Sequence, residues 1–396
     1  MKNKLLTIAS DIHTELLSHE LSGNIGLHGG TSGIALFLSY YDKYILNSKT
    51  LNSKVLDILQ YNIEWINSGK KIHTISRGFS GFGWLCEHLR MLNMLSNEDI
   101  KFLDDLDYVL CKQMLYDVRH NNYEFLHGAI GVGLYFLSRV DKSETATIAL
   151  QELISELDKS SITCENEGLK WLSVLNYDTG EIGYNISISH GMTGLISFLM
   201  KLYQVNIGSE KVERMLSSSI NYVLKQITYR KGANSYFPMF SKEYDSSYLY
   251  SRLAWCYGDL SIAYILWHAA VLLNDNALRS KAIDILYFNA NRLDLENNGV
   301  VDACLCHGTA GLAHIFRNLY LETCIDKFKD TANYWIDQTI LMSKYSDGLA
   351  GFKFYRSNGT YVNSVEVLEG ISGIGLVLLS QIIEEKLNWD EGIMLL

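Results

Sequence analysis

Proline is almost missing from this chain: Pro238 is the only one in 396 residues. Proline interrupts helices by removing a backbone donor and clashing with the preceding turn, so nothing stands against long helical runs. Cysteine is sparse too. The seven, at 86, 111, 164, 256, 304, 306 and 324, are odd in number and widely spread, which excludes a disulfide scaffold and points to a reducing compartment. Basic residues are outnumbered, 34 against 44 acidic ones for a net charge of -10. With no Lys/Arg stripe, nucleic acid is excluded as a partner. Long apolar runs are lacking as well: the longest, 260–273 and 370–379, fall short of the roughly 18 residues a membrane span requires. The segment from Met1 to Asp11 has too short an apolar stretch for a signal peptide. These absences predict a cytoplasmic protein without a transmembrane segment. With 48% hydrophobic and 20% charged residues, disorder is excluded as the dominant state.

Glycine is abundant, 30 in all, and much of it is periodic. A glycine, two residues, a second small residue and then an apolar run recur seven times. The copies are Gly30-Thr31-Ser32-Gly33, Gly78-Phe79-Ser80-Gly81, Gly128-Ala129-Ile130-Gly131, Gly191-Met192-Thr193-Gly194, Gly258-Asp259-Leu260-Ser261, Gly308-Thr309-Ala310-Gly311 and Gly370-Ile371-Ser372-Gly373. First glycines are spaced by 48, 50, 63, 67, 50 and 62 residues. About 50 residues hold two helices of some 15 residues and two loops. Apolar stretches such as 195–203 and 262–273 follow the glycines, and amphipathic ones such as 51–66 and 100–115 lie between them. Each unit therefore reads as an outer amphipathic helix, a Gly-rich turn and an inner apolar helix.

Length alone suggests two or three domains. Seven such units closing on one another predict instead a single all-α domain over 1–396, an α/α toroid of seven inner and seven outer helices. Gly-rich turns mark the inner-helix starts. An open solenoid is the alternative, but neither end shows a polar capping repeat. No glycine cluster follows a strand, so a dinucleotide fingerprint is not expected. Two Tyr/Ser/Asn/Gly-rich segments, 166–185 and 228–248, interrupt the period and are read as irregular rim segments, where function usually sits.

The residues just before each glycine pair share a register and should meet around the ring axis. They include His28, His127, His190, Cys256-Tyr257, Cys306-His307 and Glu369. Cys256, Cys306 and His307 offer two thiolates and an imidazole, a set suited to Zn²⁺ with a fourth position open. The bland alternative is two buried hydrophobic cysteines. Cys304 is a rival ligand that lies outside the register. His190 is a candidate proton donor or acceptor, or else a hydrogen-bonded rim histidine. Arg252, four residues before Cys256, would share its face if the stretch were helical and could stabilise an oxyanion or thiolate, or else form a surface ion pair.

Taken together, Arg252-Leu253-Ala254-Trp255-Cys256-Tyr257-Gly258, Cys306-His307-Gly308 and Ser189-His190-Gly191 on seven glycine repeats resemble the lanthionine cyclases, the LanC family, over nearly the whole chain. The resemblance implies an α/α toroid with one zinc per chain, held by Cys256, Cys306 and His307. It implies addition of peptide Cys thiols to dehydroalanine or dehydrobutyrine, giving thioether rings in a ribosomally made peptide. The partners it implies are a dehydrated precursor with its leader, a dehydratase and an exporter. The location it implies is the cytoplasm, or the membrane periphery through a biosynthetic complex. Within that scheme His190 is the acid that protonates the enolate and a candidate for removing the thiol proton, Arg252 positions or steadies the enolate oxygen, and Tyr257 assists proton transfer or else packs the rim. Glu124 stands where several members of the family carry an Asp that pairs with the histidine. His127 has no counterpart in that pattern.

Other functions compete. A prenyltransferase-type enzyme also joins a toroid to a zinc-activated peptide thiol, but no Asp ligand occupies the column. A glycoside hydrolase would use paired carboxylates, for which Glu124 and Glu369 are the candidates, and would leave the Cys/His set unexplained. A non-catalytic LanC-like zinc protein would bind peptides or thiols and would not need both His190 and Arg252.

Overall fold

The computed structural model describes residues 1–395, apart from 166–167, 177, 229–232 and 244–249. Parts of both expected rim segments therefore lie outside the described residues. Among those described, fourteen α-helices alternate as the repeat predicts. The outer members are α1 (Lys2–Ser18), α3 (Ser53–Asn67), α5 (Leu103–Arg119), α7 (Glu144–Ser160), α9 (Ser209–Lys225), α11 (Asn276–Ala290) and α13 (Asp326–Met342). The inner members are α2 (Thr31–Tyr44), α4 (Phe79–Met91), α6 (Ala129–Arg139), α8 (Met192–Gln204), α10 (Asp259–Leu272), α12 (Thr309–Thr323) and α14 (Ile371–Ile382). Each inner helix starts directly after a motif glycine.

The two sets end differently, for a physical reason. Outer helices begin in solvent and several use a side chain as N-cap, such as Asn52 accepting from Val55 N–H and Asp275 accepting from Ala277 and Leu278. The inner helices have no side-chain N-cap. Their first N–H groups are satisfied by carbonyls of the loop before the glycine: Phe79 donates to Ile72, Ala129 to Asn122, Met192 to Asn185 and Thr309 to Asp302. The third motif residue completes the turn where it is Ser or Thr. Ser32, Ser80, Thr193 and Ser372 each donate a hydroxyl to the carbonyl seven residues earlier. The second glycine is a matter of space: a Cβ on Gly81 would run into the main chain of Ile75 and Leu27. At Gly258 the requirement is conformational, since its φ of +99° disfavours any side chain.

The chain divides into two compact units. The first comprises Met1–Lys101 and Leu293–Asp390; in it α1 packs on α14 and α2, α14 on α2 and α12, and α12 on α13. Near the end of this unit Trp389 lies beside His314, and Asp390 pairs with His314 Nε2 at 2.8 Å. The second comprises Phe102–Arg292 and Glu391–Leu396; in it α5, α6 and α7 pack together, α8 meets α6, α9 and α10, and α10 lies on α11.

Short antiparallel hairpins interrupt the helices. Strands β1 (Ile162–Thr163) and β2 (Leu169–Lys170) form one, and β3 (Ser173–Asn176) with β4 (Glu181–Gly183) another. The described part of segment 166–185 is thus largely hairpin rather than irregular. In segment 228–248, the N–H groups of Tyr236 and Phe237 bond the Asp259 carboxylate at the start of α10. A third hairpin, β5 (Phe354–Tyr355) with β6 (Tyr361–Val362), fills the long spacing before the seventh motif, which the sequence reading had left without explanation. Among the described residues, no helix is long and apolar enough to cross a membrane.

Candidate functional site

In the second unit the structure gathers Glu124, His127, His190 and Tyr257 with the loop that carries Cys256. Glu124 lies in the turn before α6 and its side chain is fully buried. The carboxylate folds back on its own turn, accepting from Leu126 N–H at 2.8 Å and His127 N–H at 2.5 Å. Oε2 also meets His190 Nδ1 at 2.9 Å. The additional methylene relative to Asp is absorbed by this fold-back. Buried charge needs such partners, and here two backbone donors and an imidazole provide them.

His190 is fixed from several sides. Its N–H donates to Ser187 Oγ at 3.1 Å, and its carbonyl accepts from Ser173 Oγ in β3 at 2.9 Å. Its ring stacks against His127 with centroids 5.9 Å apart, and Tyr257 approaches at 6.1 Å. That stacking gives His127 the place that sequence reasoning could not. Burial, the largest single influence, opposes protonation of His190. The Glu124 carboxylate, by charge and by hydrogen bond, and the charge at Cys256 outweigh it, so the pKa stands above the usual 6.5.

Tyr257 lies beside Cys256, which is 4% exposed. Its hydroxyl accepts from Asn185 Nδ2 at 3.3 Å, and burial pushes its pKa up to about 12. Ser189 Oγ donates to the Cys256 carbonyl at 3.1 Å, tying the His190 turn to the Cys256 turn. The stretch holding Arg252 is not helical, so the argument that helical spacing sets Arg252 and Cys256 on one face does not apply. The segment is held instead by its neighbours: Ser251 donates its N–H to Ser235 Oγ, and its carbonyl accepts from Arg292.

The first unit holds Cys304, Cys306, His307 and Glu369. Cys306 donates its N–H to the Leu368 carbonyl at 2.9 Å, joining the sixth and seventh turns. His307 Nδ1 lies 3.9 Å from Glu369 Oε1, and Nε2 lies 3.9 Å from Asp302 Oδ2. Cys304 is fully buried and accepts from His307 N–H through its sulfur at 3.4 Å; burial, followed by the nearby Asp302 charge, pushes its thiol pKa well above the usual value.

Among the described residues, Cys, His and Asp side chains come together in groups that could hold a metal ion. Asp302, Cys304 and His307, all in the first unit, form one, with ligand atoms within 4.8 Å of one another. Two thiols and an imidazole suit a borderline-soft ion such as zinc, while a set containing a carboxylate is harder.

Sequence reasoning missed one register. The residue six before the first glycine is Asn24, Asn122, Asn185, Asp302 or Ser364 in five of the seven units, and each of these turns is closed through that residue's carbonyl. The signal was there to be read, since Asn, Asp and Ser close such turns with their own side chains. Ser173 carries no comparable signal, because only the hairpin brings it to His190.

A family model described as lanthionine synthetase C-like protein matches residues 22–394. The chain belongs to that family. Among solved structures it is similar to one entitled nisin cyclase, with a TM-score of 0.77 and 20% identity over 100% of this chain and 98% of that one. The fold is therefore an all-α α/α toroid of alternating inner and outer helices. Lower similarities exist to cellobiose 2-epimerase from Bacillus thermoamylovorans B4167 (TM-score 0.42, 14% identity, 64% of this chain and 70% of that one) and to a sugar epimerase from a ruminal bacterium (TM-score 0.45, 13% identity, 94% and 98%). No curated protein sequence matches the chain.

Proposed function

We propose that this chain is a zinc-dependent cyclase of dehydrated peptides, forming thioether rings by adding Cys thiols to dehydroalanine or dehydrobutyrine. The observation that carries this reading is the His190–Glu124 pair, built beside Cys256 and Tyr257 in a member of the lanthionine synthetase C-like family.

Cys256, Cys306 and His307 would hold one zinc, since two thiols and an imidazole are the donor chemistry that suits it. When bound, zinc supplies thiol activation, because a free thiol with pKa near 8.5 is little ionised at pH 7 whereas a coordinated one is deprotonated. The chain's own groups perform the proton work. As the peptide sulfur attacks the β-carbon, the Cα=Cβ electrons move into the adjacent carbonyl, giving an enolate. The thiol proton is released to solvent; His190, charged through Glu124, delivers a proton to Cα and is recharged from solvent, so the sum is addition of S–H across the alkene. Arg252 steadies the developing oxyanion, and Tyr257, with its raised pKa, remains a neutral hydroxyl donor beside the imidazole. Glu124 keeps the ring oriented and cationic. The peptide, with its leader, would come from a dehydratase and leave by an exporter, in the cytoplasm or at the membrane periphery.

Addition transfers no atoms out of the system, so the peptide mass does not change. The expected result with a dehydrated Cys-containing peptide is loss of the alkylatable thiol at constant mass; a thiol that persists beside folded, zinc-supplied protein would refute the proposal.

A further inference from the structure

Asp302 holds a turn position that four other units fill with a neutral Asn or Ser. The equivalent residues are Asn24, Asn122, Asn185 and Ser364. Asn185 Oδ1 accepts from the N–H two residues on, at 2.9 Å, and Ser364 Oγ does the same at 3.3 Å. Asp302 Oδ1 makes the corresponding bond to Cys304 N–H at 2.9 Å. A neutral side chain is thus sufficient for this turn. Only the unit that carries His307 places a carboxylate there, and buries it to 3% exposure. Burying a charge is costly unless it is matched.

The second oxygen shows what the charge faces. Oδ2 accepts from Tyr355 N–H at 2.9 Å, which pins the carboxylate to β5, and it stands 3.9 Å from His307 Nε2. Glu369 faces the other ring nitrogen at the same distance, but its side chain is 53% exposed against 1% for Asp302. Of two carboxylates at equal distance, the buried one acts with less screening.

We infer that Asp302 is a positioning residue for His307: at 3.9 Å, too far for a direct hydrogen bond, its buried carboxylate acts through charge, favouring the tautomer that carries the proton on Nε2 and leaves the lone pair on Nδ1 free for a metal. This rests on the proposed role of His307 as a zinc ligand. Carboxylates placed behind a ligating imidazole fix its tautomer and raise its basicity, and their loss typically weakens metal binding about 10- to 100-fold.

The test is zinc affinity by chelator competition on purified full-length protein. Asp302→Asn keeps the size and turn chemistry and removes the charge; it is expected to weaken zinc binding about 10- to 100-fold. Ser364→Ala removes the matching turn bond elsewhere and is expected to bind zinc as wild type does, as is Cys304→Ala. Equal affinity for Asp302→Asn and wild type overturns the inference. Equal weakening by Ser364→Ala overturns it in favour of a general turn effect. Loss of zinc from Cys304→Ala overturns it in favour of direct ligation by the Asp302, Cys304 and His307 group. Wild type that binds no zinc removes the zinc reading itself, and His307→Ala that binds it undiminished removes His307 from the ligand set; both results differ from any of these.

Discussion

Cys306→Ala is expected to give a folded protein that has lost both its zinc and most of its ring-forming activity. Cys306 is 8% exposed and anchored through its backbone N–H to Leu368, a bond that alanine retains, so the turn should survive. The ion would keep one thiolate and one imidazole, too few for a stable site. Thiolate supply alone accounts for about 30-fold, since roughly 3% of a free thiol is ionised at pH 7. Losing the fixed placement of the sulfur against the alkene adds to this, for a total of about 10³-fold. Metal analysis and the thiol-loss assay on the same preparation check both halves. A variant that retained full zinc would remove Cys306 from the ligand set.

His190→Ala separates metal from proton chemistry. It is expected to retain zinc and lose about 10²- to 10⁴-fold in rate, the usual contribution of a positioned acid or base. Unchanged cyclisation would remove its assigned role. Glu124→Gln sharpens the point through pH. Glu124 raises the His190 pKa above 6.5, so the neutral amide should lower it, moving the alkaline limb of the pH–rate profile to lower pH. Stability should follow with a defined sign. A histidine whose folded pKa is raised contributes stability that is fully present below the unfolded value near 6.5 and is lost as pH rises through the folded value. The stability advantage of wild type over Glu124→Gln is therefore expected to be largest below pH 6.5 and to shrink above it, as denaturant titrations at several pH values would show. An advantage that grew with pH would contradict the pairing.

The glycine register was enough to read fourteen alternating helices, because each motif marks a helix start where the backbone must pass close to another strand of main chain. The hairpins were not legible: strands of two to four residues show no usable alternation, and Tyr/Ser/Asn-rich stretches read equally well as loops. The reach from Glu124 to His190 was suggested by position, but its geometry depends on the carboxylate folding onto the N–H groups of Leu126 and His127, which spacing cannot reveal. Arg252 failed as a helical argument because the segment before Gly258 bends instead of coiling, with Gly258 itself at positive φ. The register at Asn24, Asn122, Asn185, Asp302 and Ser364 is present in the sequence, but it mixes three residue types and is broken by Ile72 and Arg252, so it stands out less than the glycines.

Metal removal and return tests the zinc-dependent cyclase most directly. Protein stripped with a chelator should leave the thiol of a dehydrated peptide intact, and about one equivalent of zinc per chain should restore thiol loss at constant peptide mass. Stripped protein that forms rings at the undiminished rate, with no metal detectable, would contradict it.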